Sequence, residues 1–324
     1  MKKVFKLVLF NLIFLFIIFS ILELFLHIYK PNHLKHDEIL GWKLKDNLNF
    51  TRTEKDLYGN LYKVNFKTDS NGIINFGSEN GDEIIVIGDS FSTDPYVSVD
   101  KMWYSVLANN LMNKRKIDIK IKALGAGGYG SLQQFLLLKR HKNNLNPKII
   151  ILQFCSNDYE NNLLDLEILI GSINQYARRP YLDNNEKIIY SQNLIDKILR
   201  NKYIGQSRII NKIYFVLFKK NNETIPNELR IKSRNNTIAI LKDMKKVFPN
   251  KDYFIFSCEE NKRFWKIMAK NLGYIPIEEV DYNLDLAKKN KRKIFYKDGG
   301  HLNEAGHKII GDSISENLIL LNSF

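Results

Sequence analysis

The sequence predicts a three-layer α/β/α sandwich on a mostly parallel five-stranded sheet, preceded by one N-terminal transmembrane helix. Three observations predict it. Apolar or nearly all-apolar runs, Ile84 to Ile87 and Lys148 to Cys155 foremost, read as strands buried on both faces. They end abruptly in small turn formers, Gly88-Asp89-Ser90 after the first and Ser156-Asn157-Asp158 after the second, as strands do where a crossover begins. Ahead of them, Leu7 to Ile28 is apolar apart from Asn11, Ser20, Glu23 and His27, and about twenty such residues cross a bilayer as a helix.

Taken in order, residues 1–30 read as a transmembrane anchor with Lys2, Lys3 and Lys6 before it. A cleaved signal peptide needs a shorter apolar core and a small-residue cleavage site, whereas no Ala precedes Ala108 and no Gly precedes Gly41. No Cys lies nearby, which excludes a lipoprotein. The basic residues ahead of the helix put the N-terminus in the cytoplasm and the remainder outside it, although Lys30 and Lys35 on the far side keep that bias small. Glu23 and His27, four apart near the outer end, can pair or reach headgroup water. Residues 31–82 form a membrane-proximal extension, in which Gly41 to Lys45 and Tyr58 to Tyr62 interleave aromatic and turn residues as a hairpin does.

Residues 83–324 form the main domain, with strands expected near Glu83, Ile117, Lys148, Asp252 and Lys293 and a last helix to Leu321. The stretch between Asn157 and Asp252 is far longer than a crossover needs, so about 160–247 is an insertion. It holds a short hairpin, Arg178 to Asp183 with Lys187 to Tyr190, and helical patterns over Gln206 to Lys220 and Glu228 to Val247. The first of these helices is basic and amphipathic, and suits either a membrane surface or a core face with solvated ends. Insertions at this edge would roof the site and set substrate choice.

Open α/β sheets do their chemistry at the carboxyl ends of their strands, where Ser90 emerges. It is either a nucleophile or a helix cap. A serine hydroxyl is a poor nucleophile at neutral pH and needs an imidazole to take its proton. Of six histidines, His27, His33 and His36 lie in or beside the anchor, His141 follows Lys139-Arg140 on a helix face, and His307 lies in the helix that His301 introduces. His301 remains, in Asp298-Gly299-Gly300-His301, where Asp298 can hold the ring nitrogen facing away from Ser90. The glycines from Gly125 to Gly130 let backbone N–H groups approach a ligand, and Asn157 adds an uncharged side-chain donor. A developing oxyanion gains about 3 kcal/mol from each such donor. Asp89 reads as a structural turn residue.

The order Gly88-Asp89-Ser90-Phe91, Gly128, Asn157-Asp158, Asp298-x-x-His301 resembles the SGNH hydrolases, the GDSL esterase/lipase superfamily, over about residues 83–320. The resemblance implies a flavodoxin-like sheet, Ser90 as nucleophile, His301 as base and Asp298 as its partner. It also implies an oxyanion hole made by the Ser90 and Gly128 N–H groups and the Asn157 side chain. One departure stands out: an Asn often precedes the glycine block in this family, and Ala123 holds that position here. Extensions ending in a stretch like Asp69-Ser70-Asn71-Gly72 occur in membrane-anchored members of the group.

Other chemistries find little support. His301 and His307 are not at a same-face helical spacing for a metal, no Cys/His zinc cluster exists, and the glycine cluster lacks both the Lys-Ser/Thr of a phosphate loop and a dinucleotide fingerprint. No cofactor or metal is expected. Cys155 and Cys258 end neighbouring strands and read as two buried thiols rather than a disulfide. The net charge of +14 is spread along the chain; it allows attraction to anionic headgroups or acidic glycans, while the absence of a recognition motif argues against nucleic acid. The expected activity is hydrolysis of an O-acyl ester; the resemblance, with the membrane location, implies an O-acetyl group on an envelope carbohydrate. The same residues serve acyl transfer to a sugar hydroxyl, so a carbohydrate acyltransferase, with a membrane protein partner supplying the acyl donor, stays open. So does an inactive glycan-binding or scaffold domain, which need not keep all five site residues.

Overall fold

Helix α1 (Lys2–Tyr29) opens the chain in the computed structural model, which describes residues 2–29, 32–170, 177–183, 187–218, 225–258 and 263–321. It is long and apolar enough to cross a membrane and buries none of its side chains. Lys30 and Pro31, at the expected end of the anchor, lie outside the described residues. The extension then folds as two antiparallel hairpins rather than one. β1 (Leu34–Asp37) pairs with β2 (Gly41–Leu44), and β3 (Asn49–Lys55) with β4 (Leu61–Lys67) around a turn at Asp56. The aromatic and turn residues read as one hairpin are thus shared between two.

β5 (Ile74–Gly77) and β6 (Asp82–Gly88) lead into the one-turn α2 (Ser90–Thr93), α3 (Trp103–Arg115), β7 (Ile119–Gly125), α4 (Ser131–His141) and β8 (Ile149–Phe154). Next come α5 (Asn157–Glu160), α6 (Leu164–Ile170), the small hairpin of β9 (Tyr181–Leu182) and β10 (Ile188–Ile189), α7 (Leu194–Arg200), α8 (Arg208–Phe218) and α9 (Asn227–Lys245). β11 (Asp252–Ser257), α10 (Arg263–Asn271), β12 (Ile275–Pro276), α11 (Glu279–Lys289) and α12 (Glu304–Leu320) complete the chain.

The sheet has six strands in the order β12-β11-β8-β6-β7-β5, parallel except for β5. From β6 the chain steps to β7 and then back across to β8, and right-handed crossovers in opposite directions put α3 on one face and α4 and α9 on the other. Packing agrees: α3 lies on α12, which also meets α11, while α4 lies on α9. The core is the product of the aliphatic runs, since Ile84 to Ile87 and all of β8 are buried. Each such side chain contributes roughly 1.5–3 kcal/mol.

The strand expected near Lys293 does not join this sheet. Lys291-Arg292-Lys293 leaves too short an apolar run; Phe295 instead bridges Leu302, and Tyr296 bridges Asp56 of the extension. The edge beside β11 goes to β12, whose Pro276 lacks an N–H and suits an edge. The opposite edge goes to β5, from the extension. Cys155 and Cys258, at the ends of paired β8 and β11, are both buried.

α8 packs Tyr214 against Ala177 and Leu199 and leaves Ile213 and Val216 exposed. Its N-terminus is capped by the anchor: Glu23 accepts from the Ser207 hydroxyl at 2.9 Å and from the backbone N–H of Arg208 at 2.7 Å and Ile209 at 3.1 Å. Lys219 and Lys220, counted with this helix in the sequence, lie outside the described residues.

Candidate active site

Strand β6 is buried until it reaches Gly88, where there is no room for a side chain. A Cβ there would sit 2.5 Å from Gln153 Oε1 and 2.6 Å from Ser92 Oγ. The same Gln153 oxygen accepts from the Asp89 N–H and the Ser92 hydroxyl, both at 3.1 Å, so β8 holds the turn that ends β6. The cap of α2 is Asp89, which accepts from the Phe91 N–H at 3.1 Å. Ser90 is therefore not the cap: its hydroxyl points outward to the His301 ring, with Oγ 2.8 Å from Nε2.

The His301 ring is fixed on its other side. Asp298 Oδ1 accepts from the backbone N–H of Gly300 at 3.0 Å and of His301 at 2.9 Å, and Oδ2 lies 2.6 Å from His301 Nδ1. Partial burial raises the Asp298 carboxyl, but those backbone and ring hydrogen bonds outweigh it and hold the group below the usual carboxylate range. A carboxylate at Nδ1 leaves the proton on that nitrogen and the Nε2 lone pair toward Ser90. Tyr96 stacks on the imidazole with centroids 4.3 Å apart, and Phe91 meets it at 5.1 Å. His307 is a different kind of residue: burial pushes it down to about 3, and its Nδ1 accepts the Trp103 N–H at 3.2 Å.

Gly128 lies after β7 and Asn157 opens α5 after β8. Because β7 and β8 flank β6, the segments that carry the two residues leave the sheet on either side of the one that carries Ser90, neighbouring strands being about 5 Å apart. Gly128 has φ +75°, a conformation that favours glycine. The Asn157 amide has a long contact of 3.5 Å to Asp89 Oδ2. Ser90, Gly128, Asn157 and His301 are partly exposed and Asp298 is exposed, so the group opens to solvent. Ala123 is buried in β7 between β5 and β6.

What the sequence reading missed is the part played by the extension. Trp42 donates its indole N–H to Gly127 O at 3.0 Å and receives the Tyr129 hydroxyl on its carbonyl at 2.5 Å, which pins the glycine turn. Glu54 of β3 accepts from the Tyr296 hydroxyl at 2.6 Å and from Lys297 at 2.7 Å, immediately before Asp298. Arg52 and Tyr62 donate to the carbonyls of Pro95 and Tyr96 at 2.7 and 2.8 Å. His33 Nε2 stands 3.3 Å from Asp94 Oδ1. The only local signal was the interleaving of aromatic and charged residues in these hairpins. Among the described residues, no group of three or more His, Cys, Asp or Glu is placed to hold a metal ion.

Residues 84–314 match the model of the GDSL-like Lipase/Acylhydrolase family, and the chain belongs to that family. It is thus an SGNH-type hydrolase, an enzyme acting on esters of an acylated small molecule. Similar solved structures include TesA, at 10% identity and TM-score 0.42, with 74% of this chain and 99% of that one covered. The psychrotrophic esterase EstA from Pseudoalteromonas sp. is similar at 12% identity and TM-score 0.43, covering 75% and 100%. The acetyl xylan esterase AlAXEase is similar at 12% identity and TM-score 0.41, covering 73% and 99%. No curated protein sequence matches the chain.

Proposed function

We propose that the protein is a membrane-anchored serine esterase that removes an O-acetyl group from an envelope carbohydrate, with Ser90, His301 and Asp298 as its triad. The observation that carries the reading is the continuous relay from Ser90 Oγ to His301 Nε2 at 2.8 Å and from His301 Nδ1 to Asp298 Oδ2 at 2.6 Å. As Ser90 Oγ attacks the ester carbonyl, Nε2 takes its proton, and Asp298 stabilises the imidazolium. The carbonyl oxygen gains negative charge, which the N–H groups of Ser90 and Gly128 and the Asn157 amide stabilise. Collapse of the tetrahedral adduct breaks the bond to the alcohol oxygen, which leaves with the proton from Nε2. Water, deprotonated by His301, then attacks the acyl-serine and releases the acid.

Helix α1, crossing the membrane over residues 7–28, holds this domain at the membrane surface on the outer side. The length and apolar character of the helix support the anchor, and the lysines ahead of it support the outer side. Aromatic side chains, Tyr159 and Trp265 among them, that line a cavity with Ser156 support a sugar as the alcohol component. The test is hydrolysis of 4-nitrophenyl acetate by the parent and by Ser90→Ala. Activity lost only in the variant supports the assignment. Equal, negligible rates in two folded proteins would overturn hydrolysis of simple esters, and acyl-sugar formed without free acid when a carbohydrate acceptor is added would replace the hydrolase with a transferase.

A further inference from the structure

Beside the catalytic edge, the carboxyl ends of β8 and β11 open into a cavity of about 220 Å³. Its floor includes Phe154 and Ser257, the paired last residues of the two strands, and its near wall includes Ser156, the neighbour of Asn157. β8 lies next to the strand that carries Ser90, so the cavity begins one to two strand spacings, about 5–10 Å, from the nucleophile on the Asn157 side. A substrate whose carbonyl sits at Ser90 would enter it if its alcohol part ran past Asn157.

The walls are aromatic and the roof is cationic. Tyr159, Phe264 and Trp265 face the cavity; Trp265 is 3% exposed, and its indole N–H has no hydrogen-bond partner among the described residues. Over the cavity runs α9, whose Arg230 and Arg234 are four apart and so share one helical face. The Arg234 guanidinium lies 4.4 Å from the Phe264 ring centroid and 5.9 Å from that of Tyr159. Neither arginine forms an ion pair among the described residues, and the one carboxylate in the described lining is Glu160. The roof is held in register with the active site: Ser233, between the two arginines, donates to Tyr159 O of α5, and Asn162 donates to Thr237 at 2.9 Å. Asn157 is the first residue of that same α5.

Resting on the esterase reading, we propose that this cavity is the subsite for the alcohol part of the ester and that it selects an anionic sugar. The ring packs against the aromatic walls, and a carboxylate or phosphate on it pairs with Arg230 and Arg234. Guanidinium forks suit both anions, and stacking on Phe264 leaves the N–H edge of Arg234 free to bond. The insertion, which the bare catalytic chemistry does not need, thereby supplies the selectivity.

The test compares acetate release by the full-length protein from O-acetylated methyl glucuronoside, O-acetylated glucose 6-phosphate and O-acetylated methyl glucoside. The expected kcat/KM ratio of an anionic to the neutral sugar is tenfold or more at low salt, falling toward one at high salt. The two anionic arms tell a carboxylate from a phosphate. In Arg230→Gln/Arg234→Gln the ratio falls to within twofold of one, mainly through KM. A parent ratio near one, or a ratio untouched in a folded double variant, overturns the proposal. If the parent shows no Ser90-dependent hydrolysis of any ester, the esterase reading fails instead. The cavity is then tested by titrating methyl glucuronoside and glucose 6-phosphate into Ser90→Ala protein: saturable binding of either that the double variant loses supports the subsite, and no binding of both overturns it.

Discussion

Asp89 and Ser90 are adjacent, and their side chains do opposite jobs. The serine hydroxyl faces His301 in the open site, while the Asp89 carboxyl is buried against the α2 backbone. Burial pushes that carboxyl up to about 6 from an ordinary 3.8, against the pull of its hydrogen bonds with the Phe91 N–H and Gln153. Between those two values the folded chain holds a proton that the unfolded chain has released, so this group makes stability fall as pH rises from about 4 to about 6. Asp89→Asn keeps an oxygen for the Phe91 N–H and removes the titration. Urea unfolding at pH 4 and pH 7 should show the variant gaining on the parent at the higher pH, by an amount on the order of 3 kcal/mol. An identical pH trend in both proteins would remove Asp89 as its source. Asn157 is the complementary case, a side chain whose value under the proposed mechanism lies in the transition state. Asn157→Ala should lower kcat about a hundredfold with little change in KM, as loss of an oxyanion donor does. A change confined to KM would make it a binding residue instead.

Between residue and molecule, the hairpins of the extension act as braces. β3 reaches the histidine loop through Glu54, which is 9% exposed and receives Arg52 at 2.7 Å in addition to Tyr296 and Lys297. Glu54→Ala leaves Tyr296 and Lys297 without this acceptor, leaves Arg52 without its ion-pair partner, and frees the segment that carries Asp298. The expected result is a kcat lowered about tenfold at nearly unchanged KM, because a misplaced base costs turnover rather than affinity. Glu54→Gln, which still accepts from Tyr296, should recover part of it; a KM effect alone would show that the brace shapes the substrate cleft. None of these contacts was legible in the sequence, and the reason is physical. The strand-to-turn segments at Ser90, Gly128 and Asn157 advertise themselves locally, through an aliphatic run and the small residues that stop it. Glu54 and Tyr296 meet across the length of the chain, and neither carries a local pattern naming the other. The same blindness placed a strand at Lys293, where Ile294-Phe295-Tyr296 looks apolar enough, although its partners are Asp56 and Leu302 rather than the sheet. Glu23 was visible as a charge inside an apolar helix, but its role as the cap of α8 depends on where an insertion returns to the anchor.

Across the whole molecule, the two N-terminal segments differ in how they are tied to the rest, and the difference can be weighed. Helix α1 buries no side chain, and its polar tie to the body, through Glu23 and the Leu26 carbonyl, ends at the start of α8. Losing a helix cap costs about 1 kcal/mol. Residues 32–81 are another matter. Leu40, Trp42, Leu44, Val64, Phe66 and Ile74 belong to the main core, and at about 1.5–3 kcal/mol each they contribute roughly 9–18 kcal/mol. That matches or exceeds the entire net stability of a typical domain, about 5–15 kcal/mol. Removing β5 would also leave β7 as a bare edge strand, open to pairing with other chains. A protein beginning at residue 32 should therefore fold, stay in solution and hydrolyse 4-nitrophenyl acetate at close to the full-length rate. One beginning at residue 82 should aggregate or lack a cooperative melting transition, even though it retains Ser90, Gly128, Asn157, Asp298 and His301. Expression of the two truncations, with melting curves and ester hydrolysis on each, decides the matter. A folded, active protein from residue 82 onward would mean that the extension is an appendage, and that Trp42 and Glu54 stabilise a site able to form without them.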